Sequence, residues 1–85
     1  MNAAEMVQAA CTAIETLELA DPDEEPEYYR ALVADEAFSA ACYRCENTGN
    51  YAHHEEATDA DAEALEALER SVQQHAQRVK EELDA

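Results

Sequence analysis

Residues 58–84 read TDADAEALEALERSVQQHAQRVKEELD, and this stretch decides the fold class. Leu65, Leu68, Val72, His75, Val79 and Leu83 recur at close to every 3.5 residues, the period of a helix that buries one seam against its neighbours. Thr58 or Asp59 stands where an N-cap belongs, with a side-chain oxygen to accept from the first unpaired amides. One long amphipathic helix is expected, its far face open to water. Much of that face is acidic: residues 55–69, EEATDADAEALEALE, carry seven carboxylates and no Lys or Arg.

Two further helical stretches precede it. Asn2 with Glu5 has the form of a capping box, and Met6, Val7, Ala10, Ile14 and Leu17 then line one face of a helix running to about Leu19. ADPDEEPE, residues 20–27, ends that helix at Pro22 and restarts another near Pro26, with Asp23 or Glu25 as its cap. From Glu27 to about Glu46 the pattern Tyr29, Leu32, Val33, Ala37, Ala40, Ala41 is helical, widened by Phe38 and Tyr43. It reads as one helix stopped by Asn47 and Gly49, with a break at Asp35 as the second reading. Residues 50–57 form either a short helix or a loop. No stretch alternates as a strand would. The expectation is an all-α fold: a small antiparallel helical bundle of about three helices, forming a single acidic helical domain over residues 1–85.

A chain of 85 residues buries only about 60% of the surface its unfolded form exposes. Of the hydrophobic residues nineteen are Ala, while Val, Ile, Leu and Phe together number twelve. The core is therefore thin, and a partner or a second copy, as in a homodimer, would add to it. Good helix formers almost throughout, with one Gly and two Pro, favour order over disorder.

The formal net charge is −16, from 21 Asp and Glu against five Lys and Arg. Direct nucleic-acid binding, which sets cations against phosphates, is excluded by that balance. Attraction to anionic lipid is excluded for the same reason. No apolar run approaches a bilayer span, and MNAAEMVQAA lacks the basic start of a signal peptide. A cytoplasmic protein is expected. Three cysteines, an odd number, give no disulfide framework, in keeping with a reducing compartment.

CYRCENTGNYAHH, residues 42–54, holds the ligand types of a tetrahedral zinc site in Cys42, Cys45, His53 and His54, with Cys11 as a further thiolate if the first helix packs alongside. The spacing is poorer than the types, because adjacent histidines cannot both turn inward with the cysteines. The plainer reading makes Cys42 and Cys45 small apolar core residues near a helix end, with no metal or other cofactor. CYRCENTG resembles one unit of the zinc-binding repeat of DnaJ-type chaperones, but Asn47 stands at that repeat's first Gly and the unit occurs once. Catalysis finds no footing. His75 lies on the helix seam, Ser39 and Ser71 lack a His and Asp context, and a single Gly leaves no phosphate-binding loop. No enzyme is expected.

The acids are the most informative feature, and they come in two blocks. Glu15, Glu18, Asp21, Asp23, Glu24, Glu25 and Glu27 form one, and Glu55, Glu56, Asp59, Asp61, Glu63, Glu66 and Glu69 the other. The basic residues lie outside both in sequence, where Glu66 with Arg70 and Lys80 with Asp84 have the spacing of local pairs. Asp59, Glu63 and Glu66 share one side of the last helix, with neighbouring acids about 5–6 Å apart. That is comparable to the roughly 3.4 Å axial spacing of charges along one strand of B-DNA.

In size, acidity and lack of a catalytic motif the chain resembles the small acidic inhibitors encoded by bacteriophages, among them DNA-mimicking anti-CRISPR and anti-restriction proteins. The resemblance covers the whole chain at the level of class and rests on the two blocks. It implies an inhibitor that mimics DNA and blocks the nucleic-acid-binding surface of a host defence complex, such as a CRISPR effector. The acids of residues 15–27 and 55–69 would stand in for phosphates, and the protein would act in the host-cell cytoplasm. The alternatives are a salt-adapted acidic helical protein, or a small interaction module built on a Cys/His zinc site. Scarce Lys and abundant Ala suit the first of these, whereas fifteen Glu against six Asp do not.

Overall fold

The computed structural model describes residues 3–52 and 58–85, with side chains placed outside 50–52. All-α is the class: four helices and no strand among the described residues. They are α1 (Ala3–Thr16), α2 (Pro26–Ala34), α3 (Glu36–Ala52) and α4 (Asp59–Asp84). The expected count of about three is corrected to four, because the stretch read as one helix over 27–46 breaks at Asp35.

Each boundary has a local cause. Thr58 caps α4 through a complete capping box: its Oγ1 accepts from the Asp61 amide at 3.4 Å, while the Thr58 amide donates to Asp61 Oδ2 at 2.8 Å. α1 ends in a Schellman turn. Glu18 takes a positive φ of 52°, its amide donates to Glu15 O at 3.3 Å, and the Leu19 amide reaches back to Ile14 O at 3.0 Å. A glycine usually fills that position, since a Cβ there crowds the backbone. Glu25 occupies the N-cap position of α2 but makes no side-chain cap bond, and Pro26 opens the helix. The side chain shaping this loop belongs to Asp21, not to Asp23 or Glu25: Asp21 Oδ1 accepts from the amides of Asp23 at 2.8 Å and Glu24 at 3.3 Å.

Asp35 makes the α2–α3 corner. It closes α2 in an extended conformation, φ −79° and ψ 112°, while its Oδ1 accepts from the Phe38 amide at 2.8 Å and its carbonyl from the Ser39 amide at 3.0 Å. Gly49, expected as a stop, has no positive φ and lies within α3, which runs on to Ala52. Without left-handed geometry a glycine cannot terminate a helix in the usual way. Its missing Cβ would stand 3.6 Å from Leu65 Cδ1, an ordinary contact that brings the end of α3 beside the start of α4. The Asn2 cap and the reading of 53–57 lie outside the described residues.

The core is small. Ala9, Ala10 and Ile14 of α1 meet Leu32 of α2, Phe38, Ala41 and Cys42 of α3, and Val72, Ala76 and Val79 of α4. Phe38 and Leu32 are wholly enclosed, each worth roughly 1.5–3 kcal/mol by transfer. The seam expected on α4 is present at Val72 and Val79 and half-buried at Leu65, Leu68 and His75, but Leu83 is 46% exposed. Val7 likewise faces water at 40% exposure. The buried hydroxyl of Ser39 donates to Val33 O at 3.4 Å.

α3 packs against both α4 and α1, with α2 laid across α1, α3 and α4. Asp35 meets Arg78 and Gly49 lies against Leu65, so α3 and α4 run in opposite directions. The described residues span 43 × 23 × 20 Å, and a 26-residue helix such as α4 is about 39 Å long. α4 therefore runs most of the molecule's length, and what lies on its outer face lies along a rod. No described helix is long and apolar enough to cross a membrane.

Candidate functional site

The acids read from the sequence remain almost entirely at the surface. Asp59, Glu63 and Glu66 are exposed on α4, and their spacings of four and three residues place them on the side away from Val72 and Val79. Asp59 and Asp61 lie in the first turn of α4, where the positive end of the helix dipole offsets part of their mutual repulsion, by about 0.3–1 kcal/mol per exposed acid. Glu5, Glu27 and Glu36 occupy the same position in α1, α2 and α3. Placing acids at helix starts is one way a chain of this charge stays folded.

The second block is not uniform. Asp61 is committed to the Thr58 cap, its Oδ2 also accepting from Thr58 Oγ1 at 3.0 Å. Glu69 is half-buried and flanks Cys45 in a groove between α1, α3 and α4, together with Thr16 and Leu17. It is therefore set apart from the outer stripe of Glu63 and Glu66. Arg70, four residues beyond Glu66 and exposed, ends that stripe with a cation. Glu55 and Glu56 lie outside the described residues.

The first block wraps around the α1–α2 loop. Glu15, Glu18, Asp21, Asp23 and Glu25 line an open groove of about 710 Å³ floored by Ile14, Ala20, Pro22 and Tyr29. Glu24, Glu25 and Glu27 line a second one, of about 420 Å³, against Tyr28, Lys80, Leu83 and Asp84. The basic residues are outside both blocks in sequence, yet folding brings Lys80 to this groove. Its Nζ lies 5.7 Å from the centroid of the Tyr28 ring.

Ion pairing goes elsewhere. Among the described residues the ion pairs are Arg78 with Asp35 at 2.8 Å and Arg78 with Glu82 at 3.2 Å, and neither acid belongs to a block. The Glu66–Arg70 and Lys80–Asp84 pairs allowed by spacing are not formed. Two shared hydrogen bonds hold Asp35 below the ordinary carboxylate range, the one from Arg78 first and that from the Phe38 amide second, against partial burial. The same contact raises Arg78.

The cysteines divide. Cys42 is buried, and burial, then the neighbouring Cys45 and Glu46, pushes its thiol up to about 12. Cys45 is raised too, by burial and by Glu69. Both shifts favour the thiol over the thiolate that binds metal. Cys11, the suggested third ligand, is not gathered with them: it lines the groove at the α1–α2 loop together with Tyr29, and its nearness raises the tyrosine hydroxyl. Among the described residues no cluster of three or more His, Cys, Asp or Glu has the geometry to hold a metal ion. His53 and His54 lie outside them.

Two linking side chains were not anticipated from the sequence. Tyr28 donates its hydroxyl to Ala76 O at 3.0 Å, joining α2 to α4, and burial followed by Glu25 raises its pKa. Tyr43 donates to Glu5 Oε2 at 3.4 Å, joining α3 to α1. Aromatic residues with a polar tip at the edge of an apolar face are the available signal, but their partners are set by tertiary structure. Comparison of the chain with protein-family models, with curated proteins and with solved structures finds no match.

Proposed function

We propose that this protein is an inhibitor that mimics DNA and blocks the nucleic-acid-binding surface of a host defence complex, in the manner of anti-CRISPR proteins. One observation carries the reading: the ion pairs of the described residues use Asp35 and Glu82, leaving the exposed acids of both blocks that lie among the described residues without a cation bound to them. An acid whose partner lies in another molecule should look like this. The reading takes the helices as a small antiparallel bundle, rigid enough to keep the acids in register, and the mechanism as occupancy without catalysis.

The partner is a basic nucleic-acid-binding protein or complex, a CRISPR effector among the candidates, met in the cytoplasm of the host cell. Asp59, Glu63 and Glu66 present charges at about 5–6 Å intervals, and the first block adds a second acidic patch around the α1–α2 loop. Complementary charge speeds encounter and sets register, while apolar side chains beside the acids slow dissociation. A basic groove evolved for phosphates supplies that complement.

The test is capture from a bacterial lysate on immobilised protein at 50 mM salt, followed by elution with duplex DNA. The reading predicts that captured proteins are basic, bind DNA and are released by it. Captured proteins that DNA leaves in place would overturn it.

A further inference from the structure

We propose that Asp35 is a one-torsion hinge: residues 26–52 have a second, straight helical state, and the bent state is held by Asp35 together with Arg78 of α4. The apolar periodicity of 27–46 runs unbroken through the corner, and no Gly or Pro lies between Pro26 and Gly49. At Asp35 itself φ is −79°, already in the helical range. Only ψ, at 112°, departs from it, by roughly 150° from the helical value of about −42°.

The bend costs backbone bonds. Glu36 and Ala37 open α3, so their amides have no acceptor within that helix, whereas in a straight helix they would donate to Leu32 O and Val33 O. Side chains make up part of this deficit. Asp35 Oδ1 takes the Phe38 amide at 2.8 Å, and Ser39 Oγ occupies Val33 O at 3.4 Å. The same Asp35 oxygen receives Arg78 NH2 at 2.8 Å, and α2 is tied down once more through Tyr28 and Ala76 O. Leu32 adds its full burial. A single carboxylate oxygen thus caps one helix and anchors the corner to another, and its removal subtracts both while leaving a sequence that favours continuous helix.

In the straight state Tyr28 leaves Ala76, and Glu25 and Glu27 swing away from α4. If the inhibitor reading above holds, the hinge sets whether the two acidic blocks act together. The hinge itself does not depend on that reading, and its test involves no partner.

NMR of the whole chain provides the test, comparing wild type with Asp35→Ala and with Arg78→Gln. Wild type should give an extended-type Cα shift at Asp35, fast amide exchange at Glu36 and Ala37, and a nuclear Overhauser contact between the Tyr28 ring and Ala76. In Asp35→Ala the shift at position 35 should become helical, the amides of residues 36 and 37 should gain at least tenfold protection, and the Tyr28–Ala76 contact should disappear. Arg78→Gln keeps the cap and should move the same signals part of the way, so it decides the matter if Asp35→Ala does not fold. Unchanged signals in both variants would overturn the hinge, because packing alone would then impose the bend. Loss of helical shifts over 26–34 would overturn it too, since α2 would be unravelling and not straightening.

Discussion

Asp35 and Arg78, 43 residues apart in the chain, meet at 2.8 Å, and through this contact the α2–α3 corner is fastened to α4. Arg78 is further steadied by Glu82 and lies 3.4 Å from His75 Nδ1, so the corner is the most connected polar cluster among the described residues. Its pH dependence follows from sign. The folded pKa of Asp35 lies below its ordinary value of 3.8, so the stabilisation is complete above about pH 4 and is lost as pH falls through the folded pKa. Melting temperatures of wild type and Asp35→Asn should differ most at pH 5–7 and converge toward pH 2. A gap that stays constant down to pH 2 would mean that the charge of Asp35 contributes nothing.

The Schellman turn predicts a gain of stability. Glu18 carries a positive φ of 52°, a conformation that costs a non-glycine residue about 1 kcal/mol or more. Glu18→Gly should therefore raise stability by roughly 0.5–1 kcal/mol in denaturant melts, and Glu18→Val should lower it. Both variants also remove a block acid, so the turn is tested by their difference in folding stability and not by their binding.

The thiols give a third expectation. Cys42 is enclosed and its thiol is raised to about 12, so a thiol reagent at pH 8 should modify Cys42 only at the rate of global unfolding, with Cys11 and Cys45 reacting earlier. A strong chelator should leave the far-ultraviolet circular dichroism unchanged. Collapse of the helical signal on chelation, abolished by Cys42→Ser or Cys45→Ser, would restore the zinc reading, since a structural metal contributes folding free energy directly.

What the sequence discloses is what local chemistry dictates. The Thr58 cap and the Val72–Val79 seam are both written within the one stretch 58–79, and α4 follows from them. The corner at Asp35 is harder, because the apolar period of α2 and α3 passes straight through it and the side chain that fixes it, Arg78, comes from the far end of the chain. Gly49 misleads in the opposite sense, a helix breaker by type that sits in helical geometry, while the left-handed position falls on Glu18, where composition gives no sign. For the candidate site, exposure of the acids is legible from their number alone. That Asp61 serves the Thr58 cap is a local fact, three residues away, whereas the groove of Glu69 beside Cys45 and the meeting of Lys80 with Glu24 and Glu27 are tertiary ones.

Salt should stabilise the fold. Repulsion among exposed carboxylates is screened over about 8 Å at 0.15 M, and no cation is paired with the blocks among the described residues. The protein should be folded at 0.15 M salt, with a melting temperature that rises further toward 1 M. Loss of the helical signal at 0.15 M, with recovery only in molar salt, would point to a salt-adapted protein instead.

The central claim is that a shaped array of acids, and not bulk charge, competes with DNA for a basic partner. Its most direct test is a competition titration with the DNA-binding protein captured from lysate, at 50 and 200 mM salt, using two charge-matched variants. Glu63→Lys with Glu66→Lys alters the outer stripe of α4, whereas Glu36→Lys with Glu81→Lys makes the same change in net charge at exposed positions outside both blocks. Glu82 is spared because it holds Arg78, and Glu69 because it faces the groove at Cys45. We predict that wild type displaces DNA, that displacement weakens between 50 and 200 mM, and that the stripe variant loses at least tenfold more affinity than the control. Equal losses from the two variants, or no displacement of DNA at either salt concentration, would contradict the account.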